Sequence, residues 1–146
     1  MSSTTKEIYC TGCEKIVLAR LTNGKERYPH REDLYKLPFW HCDTCGAWVG
    51  CHHKTSKPTK PLGYLATPQI LQARIAIHNL IDPMWKNGWI KRGKIYAYLS
   101  KRLGYNYHSG EIKTLEQARV IYWHCLQLRD QLVLEQKVAH DAWLEH

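Results

Sequence analysis

The sequence predicts an α+β fold, with short antiparallel strands in the first third of the chain and about three helices in the remainder. Paired cysteines and short apolar runs between turn residues predict the strands, and apolar residues at helical spacing predict the helices. We expect residues 1–53 to form the strands, 54–65 a basic linker rich in Pro and Lys, and 66–143 the helices. The helical part is expected to pack on the strands or to be tethered to them.

The strand region carries short apolar runs at residues 8–9, 16–18 and 47–49, separated by turn formers such as Asn23-Gly24. Strands this short have little core of their own. We therefore expect another interaction to hold them.

Two Cys-x-x-Cys motifs lie in this region, with 28 residues between Cys13 and Cys42. Two residues between thiolates let one tight turn direct both sulfurs at one ion, and two such pairs complete a tetrahedral site. We expect one structural zinc ion held by Cys10, Cys13, Cys42 and Cys45, so that residues 1–53 form a zinc ribbon. Mononuclear iron uses similar paired spacing and is an alternative.

Further cysteine and histidine residues lie outside the two motifs. Cys51 and His52 follow the second motif, and either could replace a motif cysteine or hydrogen-bond to a ligand sulfur. Cys125 falls on the apolar stripe of the last predicted helix and is interpreted as a buried small residue. Four thiolates leave no open coordination position, so the zinc is not expected to be catalytic.

The segment 52–63 contains two prolines, three lysines and no apolar periodicity. This composition is typical of an extended linker. The first helix is predicted to begin at Thr67-Pro68, an N-cap followed by a proline at the first helical position, and to end near Asp82-Pro83. Its apolar stripe comprises Ile70, Ala73, Ile77 and Leu80.

A second helix is predicted over about residues 91–103, ended by Gly104. A third begins with a capping box formed by Thr114 and Gln117 and continues to about residue 140. Its predicted apolar stripe comprises Leu115, Ala118, Tyr122, Cys125, Leu128 and Leu132.

The chain is expected to be cytoplasmic. No apolar run approaches the roughly 18 residues of a spanning helix, and the start MSSTTKEIYC lacks the basic and apolar stretches of a signal peptide. In a reducing compartment six cysteines favour metal ligation over disulfides. Residues 144–146 are interpreted as the remnant of an expression tag.

Positive charge is concentrated in the middle of the chain. Of the formal net charge of +8, residues 54–102 contribute ten Lys and Arg against one acid, Asp82. Residues 1–53 carry seven against six, and residues 103–146 four against six. A segment this basic predicts a surface that faces a polyanion.

Aromatic residues interleave with these cations. Phosphates are bound by Lys and Arg with release of counterions, and exposed rings stack on bases. We therefore expect a nucleic-acid partner, DNA rather than RNA, bound with little sequence preference. The expected contacts are Lys54, Lys57, Lys60, Lys86, Trp89, Lys91, Arg92, Lys94, Lys101 and Arg102.

The motif content argues against an enzyme. The sequence contains no glycine-rich phosphate loop, nucleophile elbow or HExxH motif. His78-Asn79 on the first predicted helix is the nearest approach to a nuclease-like constellation. A second hypothesis is a protein-binding inhibitor or adaptor of a host protein, because Trp and Tyr are also typical of interface hot spots.

Several strings of the chain together resemble a known family. They are CDTCGAWVGCH at 42–52, PLGYLA at 61–66 and DPMWKNGWIKRGKIYAYLSKRLG at 82–104. The chain from Cys10 to about Tyr122 resembles a small zinc-finger-containing domain of unknown function found in bacteriophages and prophages.

This resemblance implies that the four paired cysteines bind zinc and that the chain is of phage or prophage origin. From the resemblance together with the charge pattern, we expect a non-catalytic phage or prophage accessory protein that acts in regulation, replication or counter-defence. The chain departs from the family pattern after His108, where it has Ser109-Gly110-Glu111.

Overall fold

The computed structural model describes residues 4–144 of the 146-residue chain. Over this range the chain divides into two compact units. The first, called here the sheet unit, comprises residues 4–71 and 109–114, and the second, the helical unit, comprises 72–108 and 115–144. The predicted α+β class, with strands followed by about three helices, is confirmed.

The sheet unit contains four antiparallel strands paired in chain order: β1 (Thr5–Cys10), β2 (Lys15–Asn23), β3 (Pro38–His41) and β4 (Trp48–Gly50). Alternate side chains of a strand point to opposite faces of the sheet. On β1, Ile8 and Cys10 are accordingly buried while Glu7 is exposed. Trp40 of β3 is paired with Val49 of β4, and both are buried.

The core of the sheet unit is built largely from small side chains. Five of the nine members of its buried core cluster are alanine or cysteine, and the cluster comprises Ile8, Cys10, Ala19, Trp40, Cys42, Ala47, Val49, Cys51 and Leu65. Ala66, Ile70 and Ile112 of this unit are buried as well. Alanine and cysteine remove less apolar surface from water than leucine or isoleucine, so they contribute less hydrophobic free energy. This composition supports the expectation that a further interaction holds the strands.

The segment 52–63, expected to be an extended linker, forms a loop that returns to the sheet. The backbone N–H of His52 donates to the carbonyl of Lys60 at 2.9 Å. The indole N–H of Trp40 donates to the carbonyl of Thr59 at 2.7 Å. Most side chains of the loop are exposed, whereas its backbone is tied to the strands.

Helix α2 (Pro68–Lys86) follows a short 4-residue helix α1 (Gly24–Arg27) in the chain. It begins as predicted, with the Thr67 hydroxyl accepting a hydrogen bond from the Ile70 N–H at 3.4 Å. The prediction that it ends near Pro83 is wrong, because the helix continues for about one further turn. Proline removes one hydrogen bond near the end of the helix, and burial of the next residue, Met84, offsets that loss.

The other two helices are α3 (Arg92–Leu103), which ends at Gly104 with φ of +79°, and α4 (Leu115–Leu144). The predicted α3 is confirmed. The buried stripe of α4 comprises Ala118, Ile121, Cys125, Leu128 and Leu132. Leu115 and Tyr122, which were expected on this stripe, are 41% and 38% exposed.

Spacings of three and four residues keep side chains on one face of a helix. Ile121 therefore occupies the stripe position that the sequence assigned to Tyr122. The buried stripe ends at Leu132, and residues 133–144 are exposed. Leu144 belongs to α4, and residues 145–146, the rest of the suspected tag, lie outside the described part of the chain. No helix within residues 4–144 is both long and apolar enough to cross a membrane.

Candidate metal centre and basic clefts

The four motif cysteines converge at one point of the sheet unit. The Sγ atoms of Cys10 and Cys45 are 3.4 Å apart and those of Cys13 and Cys42 are 3.7 Å apart. All four sulfurs lie within 4.8 Å of one another. Four Zn–S bonds of about 2.3 Å in a tetrahedron give sulfur–sulfur distances of about 3.8 Å. The four cysteines therefore fit one zinc ion, as the sequence predicts.

The turns that carry these cysteines depend on two glycines. A Cβ atom on Gly12 would lie 2.7 Å from the Sγ atom of Cys45, which is closer than side-chain atoms approach one another. Gly46 has φ of +82°, and its N–H donates to the carbonyl of Cys42 at 2.8 Å. Glycine adopts positive φ without steric cost. Both glycines thus let the two paired turns bring their sulfurs together.

The protonation of the cysteines differs across the cluster. Burial raises the pKa of Cys10 to about 12, and burial also raises the pKa of Cys13. Burial opposes ionisation of Cys42 as well, but the backbone N–H groups of Cys45 and Thr44 donate to its sulfur, and its pKa is lowered. Zinc binds thiolates, so the ion has to displace the protons that remain. Binding of zinc would therefore deprotonate the remaining thiols and join the two cysteine turns.

Cys51 and His52 were named as alternative ligands. Within residues 4–144, the group of Cys, His, Asp and Glu side chains placed to hold an ion comprises the four motif cysteines and neither of these two. Cys51 is buried in the core of the sheet unit, and burial raises its pKa. His52 is half-buried beside it in the chain and contributes its backbone N–H to the 52–63 loop.

An ion-pair network that sequence reasoning missed supports the second cysteine turn. Arg20 on β2 donates to Asp43, between the two cysteines of that turn, at 2.9 Å, and to Glu26 at 2.8 Å. The hydroxyl of Thr22 also donates to Glu26 at 2.6 Å. Arg20 and then Thr22 lower the pKa of Glu26 to about 2, and Arg20 lowers the pKa of Asp43.

The network follows from the register in which β2 pairs with β3. Arg20 is paired with His41, the residue before Cys42, so its side chain reaches the turn. Local sequence does not reveal which residues of two strands are paired, because register depends on the whole sheet.

A four-thiolate site on paired turns of a small antiparallel sheet defines a zinc-ribbon protein. The chain belongs to the family described as a zinc-finger-containing domain, whose model matches residues 6–132. This confirms the resemblance found in the sequence. No curated protein and no solved structure matches the chain.

The turn between α2 and α3 in the helical unit surrounds a cleft of about 500 Å³. Its lining comprises Trp85, Gly88, Trp89, Ile90, Lys91, Arg92 and Lys94. The indole N–H of Trp85 donates to Asp82 at 3.0 Å, and Asp82 also lies 3.5 Å from His78. The carboxylate of Asp82 is therefore engaged by side chains of its own helix.

A second cleft of about 620 Å³ lies along α3. Its cations are Lys94, Lys101 and Arg102, and the guanidinium of Arg102 lies 4.3 Å from the centre of the Tyr98 ring. Glu135 of α4 is the acidic residue of its lining. Tyr98, which also lines this cleft, is half-exposed.

The remaining predicted nucleic-acid contacts are placed as follows. Lys86 is exposed and lies 5.5 Å from the centre of the Trp85 ring. Lys54, Lys57 and Lys60 are exposed on the 52–63 loop of the sheet unit. Six of the seven contacts predicted between residues 86 and 102 line the two clefts, and Lys86 lies outside their linings.

Proposed function

We propose that this chain is a non-catalytic zinc-ribbon protein that binds nucleic acid through its basic, aromatic-rich central region. It acts by binding nucleic acid, DNA in preference to RNA, with little dependence on the base sequence. The family resemblance supports a phage or prophage accessory role in regulation, replication or counter-defence.

The observation that carries this proposal is the grouping of rings and cations around the two clefts of the helical unit. Lys91, Arg92 and Lys94 line the first cleft together with two tryptophans. All three cations are exposed, so their charges are available to phosphates. Half-exposed rings beside exposed cations are what a nucleic-acid surface requires.

The acid content of the region supports the same conclusion. Asp82 is the acidic residue among residues 54–102, and its carboxylate accepts a hydrogen bond from Trp85. The cations of the first cleft are therefore not neutralised by neighbouring carboxylates of that segment. Their field extends over about a Debye length, roughly 8 Å at physiological salt.

Two features support a non-catalytic role. Four thiolates complete the tetrahedral coordination of zinc and leave no position for a water or substrate. His78, the histidine considered for a nuclease-like site, lies 3.5 Å from Asp82, whose other contact is Trp85. The Asp82 carboxylate therefore already has two partners on its own helix, His78 and Trp85, and this arrangement has a structural role.

The test is salt-dependent binding to a fluorescent DNA duplex measured by anisotropy. Log affinity should fall linearly with log salt, by about 0.9 for each phosphate contacted. The triple variant Lys91→Ala, Arg92→Ala, Lys94→Ala should bind more weakly and lower that slope by about two to three.

A matched control removes three exposed lysines from the sheet unit: Lys6→Ala, Lys15→Ala and Lys36→Ala. It changes the net charge equally but should leave the slope nearly unchanged. Equal slopes for the wild-type chain and the cleft variant, or equal losses in both variants, would contradict the proposal.

A protein-binding role is the second candidate, and a groove of the helical unit favours it. This groove, of about 380 Å³, lies between α2 and α4 and is lined mainly by apolar side chains, among them Ile77, Leu115 and Trp123. Trp123 is 56% exposed, and exposed tryptophans are frequent at interface hot spots.

Capture from nuclease-treated host lysate separates the two candidates. A single stoichiometric host protein that is retained by the Lys91, Arg92 and Lys94 variant and lost by Trp123→Ala would favour the adaptor role. Loss of all partners after nuclease treatment would favour nucleic-acid binding.

A further inference from the structure

The two basic clefts of the helical unit adjoin each other. They share Trp89, Ile90 and Lys94 in their linings, so Trp89 borders both clefts. Cations lie on both sides of this ring, with Lys91 and Arg92 toward the first cleft and Lys101 and Arg102 toward the second. We call the combined feature the Trp89 groove.

We infer that the Trp89 groove binds a single-stranded polynucleotide, with an unpaired base against Trp89 and its neighbouring phosphates at the flanking cations. This inference rests on the proposed function and adds to it the site and the strandedness of the ligand.

The Trp89 ring is available to a ligand. Trp85 is held by Asp82, and its ring has Lys86 at 5.5 Å and Arg92 at 5.8 Å from its centre. Within residues 4–144, the Trp89 side chain forms no hydrogen bond, cation–π or ring contact. It is nevertheless half-exposed, so one part of the indole is open to a partner.

Trp89 lines two adjoining clefts. In a duplex both faces of an internal base are covered by neighbouring bases, and only its edges are reachable in the grooves. A base can lie flat against a ring in a groove only when it is unpaired and unstacked. A duplex would meet the exposed lysines but not the face of Trp89.

Two lysines and a tyrosine of α3 are spaced along one side of the helix. Lys94, Tyr98 and Lys101 follow one another at intervals of four and three residues, which places them on one face of α3. Lys94 and Lys101 are separated by about 10 Å along the helix axis. Phosphates of one strand can therefore be met at two points along α3, with a further ring between them.

The acidic residue of the groove sets the path of the strand. Glu135 lines the second cleft from α4, where it accepts a hydrogen bond from Gln131 at 3.2 Å. Its charge repels phosphates from the α4 side. The backbone of a bound strand should therefore follow α3, close to Lys101 and Arg102.

The experiment compares a 12-nucleotide oligothymidylate, its oligouridylate equivalent and a DNA hairpin duplex of equal phosphate number, by anisotropy at fixed salt. The wild-type chain should bind the single strands more tightly than the duplex. Trp89→Ala should weaken single-strand binding by about ten- to a hundredfold, the loss of one stacked base. Its duplex binding should change by less than about threefold.

Trp89→Phe should restore most of the single-strand affinity, because it keeps a stacking face. The matched control Trp123→Ala removes an exposed tryptophan of the α2–α4 groove and should leave both affinities unchanged. If Trp89→Ala does not fold, photocrosslinking of the wild-type chain to a strand containing 5-bromodeoxyuridine, mapped by mass spectrometry, should mark Trp89.

The outcomes separate this inference from the proposed function. If the chain binds none of the three nucleic acids, both the inference and the proposed function are overturned. Tighter binding of the duplex, an equal loss for strand and duplex in Trp89→Ala, or crosslinks confined to other residues overturns the inference and leaves nucleic-acid binding intact.

Discussion

The two units of this chain are held together in different ways. The sheet unit gathers four thiols at one point, and five of the nine members of its core cluster are alanine or cysteine. Within the described part of the chain, the helical unit has six large aliphatic side chains that are at most 1% exposed, Ile77, Ile81, Met84, Ile95, Leu99 and Ile121, whereas the sheet unit has two, Leu65 and Ile112. We therefore expect zinc to be needed in the sheet unit, where fully buried large side chains are fewer, and the helical unit to rely on its own core.

Loss of one zinc ligand should have the largest effect. Cys42→Ser removes a buried thiolate from the cluster, and structural zinc contributes on the order of 10 kcal/mol to folding of such sites. We expect the variant to bind no zinc stoichiometrically and to lose the sheet while keeping most of its helical circular dichroism. Zinc content and far-ultraviolet spectra measure both changes.

The control for this variant is Cys51→Ala, which alters a buried cysteine of the same core outside the four-sulfur group. It should retain one zinc per chain. Full zinc occupancy in Cys42→Ser, or loss of zinc in Cys51→Ala, would show that the cluster is assigned wrongly.

A cavity in the helical core should come next in size. Leu99 on α3 is fully buried, and Leu→Ala substitutions at such sites cost about 2–5 kcal/mol. We expect Leu99→Ala to lower the urea midpoint of helix unfolding by a corresponding amount while zinc content stays at one per chain. Val133→Ala on the exposed part of α4 serves as control and should change stability by less than about 0.5 kcal/mol. Zinc loss in Leu99→Ala would contradict independent stabilisation of the two units.

The ion-pair network of the sheet unit should have the smallest effect. Arg20→Ala leaves the carboxylates of Asp43 and Glu26 without their shared partner. Partly exposed ion pairs are worth about 1 kcal/mol or less, so we expect zinc affinity to fall by a few fold in a chelator competition. An unchanged affinity would mean that the network does not support the cysteine turn.

The pH dependence of the network has a definite sign. The pKa of Glu26 lies at about 2, below the 4.5 of an ordinary carboxyl. A lowered pKa contributes stability that is present above the ordinary value and is lost as pH falls toward the lowered one. The stability difference between wild type and Glu26→Gln should therefore be constant between about pH 8 and about pH 6. A difference that disappears within that window would contradict the pairing.

Local patterns in the sequence were sufficient for part of this structure. The spacing of the cysteines predicts the zinc ligands, and the Thr67-Pro68 pair predicts the start of α2. The stop at Gly104 likewise follows from one residue's preference for positive φ. Each of these features is set by residues close together in the chain.

Features that depend on distant residues were missed. The 52–63 loop is tied to the sheet through its backbone, and the side chains of the loop do not reveal these hydrogen bonds. Arg20 reaches the cysteine turn only through the register of β2 and β3. Whether the Trp89 ring is available depends on the contacts that neighbouring side chains such as Trp85 make, and the amino-acid composition does not reveal those contacts.

Amide hydrogen exchange with and without a zinc chelator tests most directly whether metal holds the sheet unit alone. With zinc bound, amides of β1 to β4 and of α2 to α4 should both be protected. After chelation, protection should be lost across residues 5–50 and retained in the buried parts of α3 and α4. Retention of protection in the strands without metal, or its simultaneous loss from strands and helices, would contradict the account.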